Sequence, residues 1–122
     1  MVEVSDEVMQ RRLAGVRGYC MMLLKAGPNY QPPETRPPEM AAIVREHGRR
    51  NMGLQIEGKM PLVGPIVGAR PVVGLCVFAV PEAEARKLMA GEPARKAEIF
   101  VAEFATWYGA PGLDGAWSPG AE

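Results

Sequence analysis

Two segments of this sequence are apolar on both faces of an extended chain, and this limits the folds open to it. In "VRGYCMMLLKAG" (16–27) the two faces carry Tyr19, Met21 and Leu23 on one side and Cys20, Met22 and Leu24 on the other. The segment "VVGLCVFAV" (72–80) is also apolar on both faces. An antiparallel sheet with one face in water would instead alternate between apolar and polar residues. Both faces of this sheet therefore need a cover.

Periodicity and turn signals predict the other elements. Residues 5–14 favour a short helix with Ser5 or Asp6 as N-cap. Prolines deny hydrogen-bond donors to the segment "PNYQPPETRPP", which predicts a loop. The remaining predictions are strands at 59–66, 72–80 and 99–109, a short helix in "PEAEARKLMAG" ended by Gly91, a turn or single helical turn in "EPARKAE", and an irregular tail "APGLDGAWSPGAE" in which Trp117 docks. Pro61 favours an edge position for the strand at 59–66.

The stretch after the proline-rich loop allows two helix lengths. A helix starting near Pro38 gathers one apolar stripe: Met40, Ile43, Val44, His47, Asn51 and Leu54. One interpretation ends the helix at His47, with Gly48 just past its end. The other extends it to near Gly58, at a cost of about 1 kcal/mol for each interior glycine. The stripe continuing to Leu54 favours the longer helix.

The order of the core elements is strand, helix, strand, strand, helix, strand. This is the split βαβ, or ferredoxin-like, plan of the α+β class, in which the helices cover one face of the sheet. We expect a second copy of the chain to cover the other face in a two-fold dimer. The prediction is a single domain over 1–122, with a core of about 17–108, an N-terminal extension at 1–16 and a C-terminal tail at 109–122.

Composition excludes several classes of function. A chain of 122 residues is one domain by size, and its 14 Lys and Arg balance 14 Asp and Glu. Without a basic field, a nucleic-acid partner is not expected. The N-terminus is unlike a secretory signal, and no window is apolar enough for a membrane helix. Cys20 and Cys76 lie in apolar stretches, which favours buried reduced thiols and a cytoplasmic protein.

Three segments share their spacing with a known family. The first is the strand "YCMMLLKAGPN". In the second, Gly58 follows His47 by eleven residues and precedes Gly64-Pro65. The third is "GLCVFAVPEAEARKLMAGEPARKAEIFVAEFATWYG". With these spacings, over roughly residues 17–108, the chain resembles the YCII-related family of small bacterial proteins. The resemblance implies a dimeric α+β barrel built from ferredoxin-like subunits.

The resemblance also implies a site, because a histidine and an aspartate of that family face each other in the barrel cleft. His47 fills the histidine position, and Glu92 stands where the family has aspartate. Gly48 replaces a bulkier residue, and the proline-rich loop is an insertion. On the same basis we expect substrate contacts at Tyr19, Gly64, Pro65 and Pro93.

His47 and Glu92 each have a structural alternative. An imidazole exchanges a proton near neutral pH, and a carboxylate on one ring nitrogen raises the basicity of the other. A lone histidine on an apolar helix face is also common as a satisfied core residue. Similarly, an acidic residue before a proline suits a turn or cap. Gly64-Pro65 suits a turn at a strand end.

Other candidates are weaker. Cys20 and Cys76 fall in mid-strand without an electropositive neighbour in sequence to activate a thiol. One histidine without a second ligand at i+3 or i+4 gives no metal signature, and we predict no metal or other cofactor. Six methionines fit an irregular core or, less simply, an apolar ligand: Met21, Met22, Met40, Met52, Met60 and Met89.

The sequence thus predicts proton-transfer chemistry on a small organic molecule. His47 acts as general base and Glu92 orients it, in a cofactor-independent elimination or isomerisation of the lyase or isomerase type. The alternative is a non-catalytic small-molecule-binding or dimeric assembly domain, in which His47 is core and Glu92 is a cap.

Overall fold

A computed structural model describes residues 1–109 of the chain. The elements follow in the order α1 (Asp6–Ala14), β1 (Arg17–Ala26), α2 (Pro38–Ile56), β2 (Leu62–Pro65), β3 (Val72–Phe78), α3 (Glu82–Ala90), α4 (Pro93–Lys96) and β4 (Phe100–Gly109). The strands form one antiparallel sheet in the order β2-β3-β1-β4. This confirms the predicted α+β, ferredoxin-like plan, preceded by the expected N-terminal helix. The predicted irregular tail beyond Gly109 and the docking of Trp117 lie outside the described residues.

Helix α1 forms without help from the core. The Ser5 side chain caps it by accepting the Val8 N–H at 3.3 Å, and acidic and basic residues occupy the ends that suit the helix dipole. None of its residues is buried, and Met9 and Leu13 are 49% and 61% exposed. Its stability therefore comes from local interactions.

Helix α2 is the longer of the two predicted versions. Pro38 occupies its first turn, and Gly58, with φ +79°, follows its C-cap Glu57 in the left-handed region. Gly48 and Gly53 both lie inside the helix, so the favoured longer interpretation is right and the alternative end at His47 is not. Burial of one face, which includes His47, Asn51 and Leu54, compensates for the low helix propensity of these glycines.

Strand β2 is shorter than predicted, although it does lie at the sheet edge. The backbone N–H groups of Lys59 and Met60 both donate to the carbonyl of Leu54, at 3.0 and 3.2 Å. These donors close the end of α2 and are not available to a strand ladder. Pairing therefore begins only at Leu62, after Pro61.

The main core lies between the sheet and helices α2 and α3. It includes Met22 and Leu24 from β1, Cys76 and Phe78 from β3, and Met89 from α3. We call this side of the sheet the covered face. The register places Leu23 beside Leu75 and Glu103, and Tyr19 beside Trp107, on the opposite side, which we call the open face.

A close backbone contact holds the segment between α4 and β4 against the end of β1. Gly27, just after β1, donates its N–H to the carbonyl of Ile99 at 2.8 Å, and a Cβ on Gly27 would collide with the carbonyl of Glu98. The Asn29 side chain donates to the carbonyl of Ala97 at 3.0 Å. The end of β1 thus holds the segment that follows Glu92.

Candidate functional site

His47 and Glu92 meet beneath α2. His47 projects from the buried face of α2, and Glu92 is the N-cap of α4. Nδ1 of His47 lies 2.9 Å from Oε1 of Glu92. Glu92 is completely buried, and His47 is 9% exposed. The structure therefore brings together the two residues predicted to be catalytic, across 45 positions of sequence.

Glu92 is held by backbone donors as well. Its Oε1 accepts the N–H of Ala94 at 3.1 Å, and its Oε2 accepts the N–H of Arg95 at 2.9 Å. Both donors belong to the free N-terminus of α4, so the predicted cap role is real. One carboxylate therefore serves the helix end and the histidine at once.

The contact between the ring and the carboxylate is close but not linear. Nδ1 has no hydrogen-bond partner in line with its ring N–H, even though Oε1 is 2.9 Å away. The two residues meet as an ion pair when the ring is protonated rather than through a straight hydrogen bond. Glu92 still supplies the negative charge nearest to the imidazole.

Opposing effects set the ionisation of Glu92. Burial would raise the pKa of its carboxyl, but the close polar contact with His47, the Ala94 N–H, the charge of His47 and the Arg95 N–H together outweigh burial. The pKa of Glu92 therefore lies below its usual range, and the group is a carboxylate at neutral pH. A permanent anion is what orients an imidazole for proton transfer.

The other ring nitrogen also has a partner, which our sequence analysis did not assign to the site. Nδ2 of Asn51 lies 3.2 Å from Nε2 of His47. Asn51 is 6% exposed and sits one helical turn beyond His47. Its spacing of four residues on the same apolar stripe is the signal that would have identified it.

Aromatic rings form the wall beside the imidazole. The ring centroids of His47 and Phe100 are 4.9 Å apart, and those of Tyr30 and Phe100 are 6.1 Å apart. Tyr30 comes from the proline-rich loop, with the guanidinium groups of Arg36 and Arg70 5.7 and 5.3 Å from its ring centroid. The inserted loop thus lies one ring away from the histidine.

Three of the four predicted substrate contacts lie elsewhere in this chain. Tyr19 is on the open face, packed against Trp107 at 5.8 Å with Arg17 over its ring. Gly64 and Pro65 belong to the edge strand β2, opposite Leu75 and Gly74 of β3. Pro93 follows Glu92 directly, in the first turn of α4. Only Pro93 is therefore brought beside the pair within one chain.

Two cavities have lining residues that do not include the pair. One of about 510 Å³ is lined by residues of the proline-rich loop, the first turns of α2 and the segment before β4: Pro28, Asn29, Tyr30, Gln31, Pro37, Glu39, Met40, Ile43, Ala97 and Ile99. The other, of about 300 Å³, lies at the start of β1 and includes Tyr19 and Cys20. Ile43 is one helical turn from His47, so the larger cavity approaches the pair along α2.

Neither thiol is activated. Burial, with a smaller contribution from Glu92, raises the pKa of Cys76 to about 12. Burial also raises the pKa of Cys20, assisted by Glu82 and opposed by Arg86. Both groups are thiols rather than thiolates at neutral pH, which argues against nucleophilic catalysis. Within residues 1–109, the structure contains no cluster of three or more His, Cys, Asp or Glu side chains able to hold a metal ion.

Comparisons with known proteins add little to this geometry. No family model matches the sequence, and no curated protein matches it. Among solved structures, the chain is similar to 5-chloro-2-hydroxyhydroquinone dehydrochlorinase (TftG) from Burkholderia phenoliruptrix AC1100, in complex with 2,5-dihydroxybenzoquinone. The match has a TM-score of 0.46 and 14% identity, and covers 72% of this chain and 92% of that chain. This similarity is too weak to support a conclusion about activity, so the fold assignment rests on strand order and helix position. Among the helices within residues 1–109, none combines the length and the apolarity that crossing a membrane requires.

Proposed function

We propose that this protein is a small-molecule enzyme of the YCII-like type that transfers a proton with His47 as general base and Glu92 as its orienting partner. The observation that supports this is the 2.9 Å separation of His47 Nδ1 and Glu92 Oε1, with the carboxylate fully buried. Because Glu92 occupies the Nδ1 side, Nε2 is the nitrogen that takes a proton from carbon or oxygen of the substrate. The proton is then returned to the product or to a leaving group.

The reaction class follows from what this pair supplies. A neutral imidazole beside a buried carboxylate can remove a proton and hold the resulting charge. Eliminations and isomerisations of small organic molecules need no more than this, so no cofactor enters the proposal. The aromatic wall of Phe100 and Tyr30 and the nearby cavity favour a substrate with an apolar body.

The proposal also includes a cytoplasmic bacterial homodimer. On the open face Met21, Leu23 and Leu75 are half-buried, and Val101 and Trp107 are 42% and 37% exposed. A second copy packed sheet against sheet would remove these apolar groups from water. Tyr19 lies on this same face and is already 1% exposed in one chain, so the interface would form beside it.

The test is a matched set of variants on a substrate panel. β-Substituted carbonyl compounds report elimination, and keto–enol pairs report isomerisation. We expect His47→Ala to lose at least about 100-fold in kcat/KM and Glu92→Gln about 10-fold or more. Glu46→Gln is the control, since Glu46 adjoins His47 in sequence but its side chain is 57% exposed. Equal rates in the wild type and His47→Ala would end the hypothesis.

A non-catalytic ligand-binding or dimeric assembly domain is the second candidate. Specific observations favour it: Glu92 caps α4, both ring nitrogens of His47 have close neighbours, and neither cavity described above includes the pair. This function predicts that His47→Gln lowers stability while leaving ligand binding or dimer affinity intact. Thermal unfolding measured beside ligand titration and sedimentation separates it from the enzyme.

A further inference from the structure

The Asn51 amide is satisfied on one side only. Its Nδ2 lies 3.2 Å from His47 Nε2, whereas its Oδ1 is buried and has no hydrogen-bond partner among residues 1–109. A buried carbonyl oxygen without a partner is costly, and natural proteins rarely keep one without a reason. The free acceptor and the occupied donor belong to the same planar group, so they exchange places when the amide turns over.

The two orientations suit different protonation states of the ring. With Nδ2 toward the imidazole, Asn51 donates to a bare Nε2, as a neutral ring requires. With Oδ1 toward the imidazole, Asn51 accepts from an Nε2–H, which a protonated ring carries. Both arrangements use the same heavy-atom positions. The residue therefore needs only a half-turn about its last side-chain bond.

We infer that Asn51 is the positioning residue for Nε2, and that its amide inverts when His47 takes up a proton. The inference rests on the proposed proton-transfer function and assigns a role within it. In the resting site Nδ2–H holds the ring with Nε2 unprotonated. The substrate proton bonds to the Nε2 lone pair only once Nδ2–H has turned away from it, and the electron pair of the broken bond stays on the substrate. Oδ1 then accepts the new N–H. The proton is stored there until it is delivered.

The surroundings of the ring leave few other groups to take this part. Glu92 faces Nδ1 from the cap of α4, and Phe100 of β4 presents an apolar ring. Cys76 of β3 is a buried thiol and carries no charge at neutral pH. Arg50 on α2 donates to the carbonyl of Leu88. Among the described residues, Asn51 is thus the hydrogen-bonding neighbour found at Nε2.

The single histidine makes the inversion measurable in the wild type by NMR. Above the imidazole titration midpoint we expect Nε2 to be unprotonated, with cross-relaxation between the Asn51 amide protons and the ring. Below the midpoint this cross-relaxation should vanish, since Oδ1 then faces the ring. Cross-relaxation that persists unchanged through the titration would overturn the inference, and this test does not depend on any variant folding.

Asn51→Leu gives a second test, in which the direction of the change in the imidazole titration midpoint decides. An inverting amide stabilises the protonated ring more than the neutral one, because hydrogen bonds to charged groups are stronger. Removing it should lower the imidazole midpoint by about one pH unit. A fixed donor would instead oppose protonation, so its removal would raise the midpoint. A rise or an unchanged midpoint contradicts the inference. Gln55→Leu is the control, since the Gln55 amide binds the Pro61 carbonyl at 3.3 Å.

These results are independent of the activity panel. Active wild-type protein with an unmoved midpoint in Asn51→Leu leaves proton transfer by His47 standing and removes the role of Asn51. An inverting amide in a protein with no activity on the panel removes the enzyme function alone.

Discussion

The two faces of the sheet are built from the same kinds of residue and have different surroundings. On the covered face Met22 and Phe78 are 0% exposed and Leu24 is 4% exposed. On the open face burial is uneven: Tyr19 and Val77 are 1% and 2% exposed, but Leu23 and Leu75 are only half-buried and Trp107 is 37% exposed. Apolar composition therefore predicts that a face of the sheet is covered. The helices of one chain cover only one of the two faces.

The polar side chains also differ between the two faces of the sheet. Among residues 1–109 the buried polar side chains are His47, Asn51 and Glu92, and all three belong to the helical side of the sheet. The open face carries a partly exposed ion pair between Lys25 and Glu103. Desolvated chemistry is thus possible on the covered face, whereas the open face suits association.

The largest contrast is expected from two neighbouring leucines of β1. Leu24→Ala removes a side chain packed in the core and should lower the free energy of unfolding by about 2–5 kcal/mol. Leu23→Ala removes a half-buried side chain on the open face and should cost under about 1 kcal/mol in the monomer. Urea unfolding of both variants at low protein concentration measures the difference.

Concentration dependence sharpens this comparison. If a second copy covers the open face, the cost of Leu23→Ala should rise with protein concentration and Leu23→Asp should give a monomer in sedimentation equilibrium. A dimer that survives Leu23→Asp would show that its interface lies elsewhere. Equal costs for the two leucines at every concentration would mean that the faces do not differ as described.

Removal of the Glu92 carboxylate should have an intermediate effect. Glu92→Ala deletes the cap of α4 and the partner of His47, and we expect it to lower the free energy of unfolding by about 2 kcal/mol. Glu92→Gln keeps one acceptor for the backbone N–H groups and should cost less. The exposed Glu46→Ala, measured in the same way, should be nearly neutral. A neutral Glu92→Ala would argue against both roles of the carboxylate.

The smallest effect concerns pH. The pKa of Glu92 is depressed in the folded state, by the hydrogen bonds and charge of its neighbours against the opposing effect of burial, so the unfolded chain binds this proton first as pH falls. Its contribution is therefore present above the unfolded pKa and is lost as pH falls through the folded pKa. The stability difference between wild type and Glu92→Gln should shrink as the pH falls from neutral through the ordinary pKa of a glutamate and below it. Chemical denaturation across that range checks the sign, and a constant difference would contradict it.

Sequence patterns predicted much of the fold because local and global preferences agree there. Element order alone gave the ferredoxin-like plan, and the stripe from Met40 to Leu54 correctly favoured the long helix. The start of β2 was wrong because its backbone donors bind the Leu54 carbonyl, an interaction between an element end and its own helix. Propensity and periodicity carry no information about such a contact.

The site was predictable in part. The spacing of His47 and Glu92 in the resembling family anticipated that the two residues meet. Asn51 was recognised only as a member of the apolar stripe. The stripe does not show which group the Asn51 amide bonds to. Tyr19 lies on the open face because consecutive residues of β1 point to opposite faces of the sheet. The sequence alone did not show which of the two faces the helices would cover.

The double attachment of Glu92 has a consequence for substitutions at this position. One carboxylate accepts two backbone N–H groups of α4 and also lies against His47. Most substitutions at this position therefore act on the end of α4 and on the imidazole together, and Glu92→Gln, which keeps one acceptor, separates the two only in part. A shorter acidic residue would have to meet both demands from a different distance, so an exchange between glutamate and aspartate here calls for a compensating change in α2 or α4. Substitution at position 92 is thus limited by two separate contacts at once.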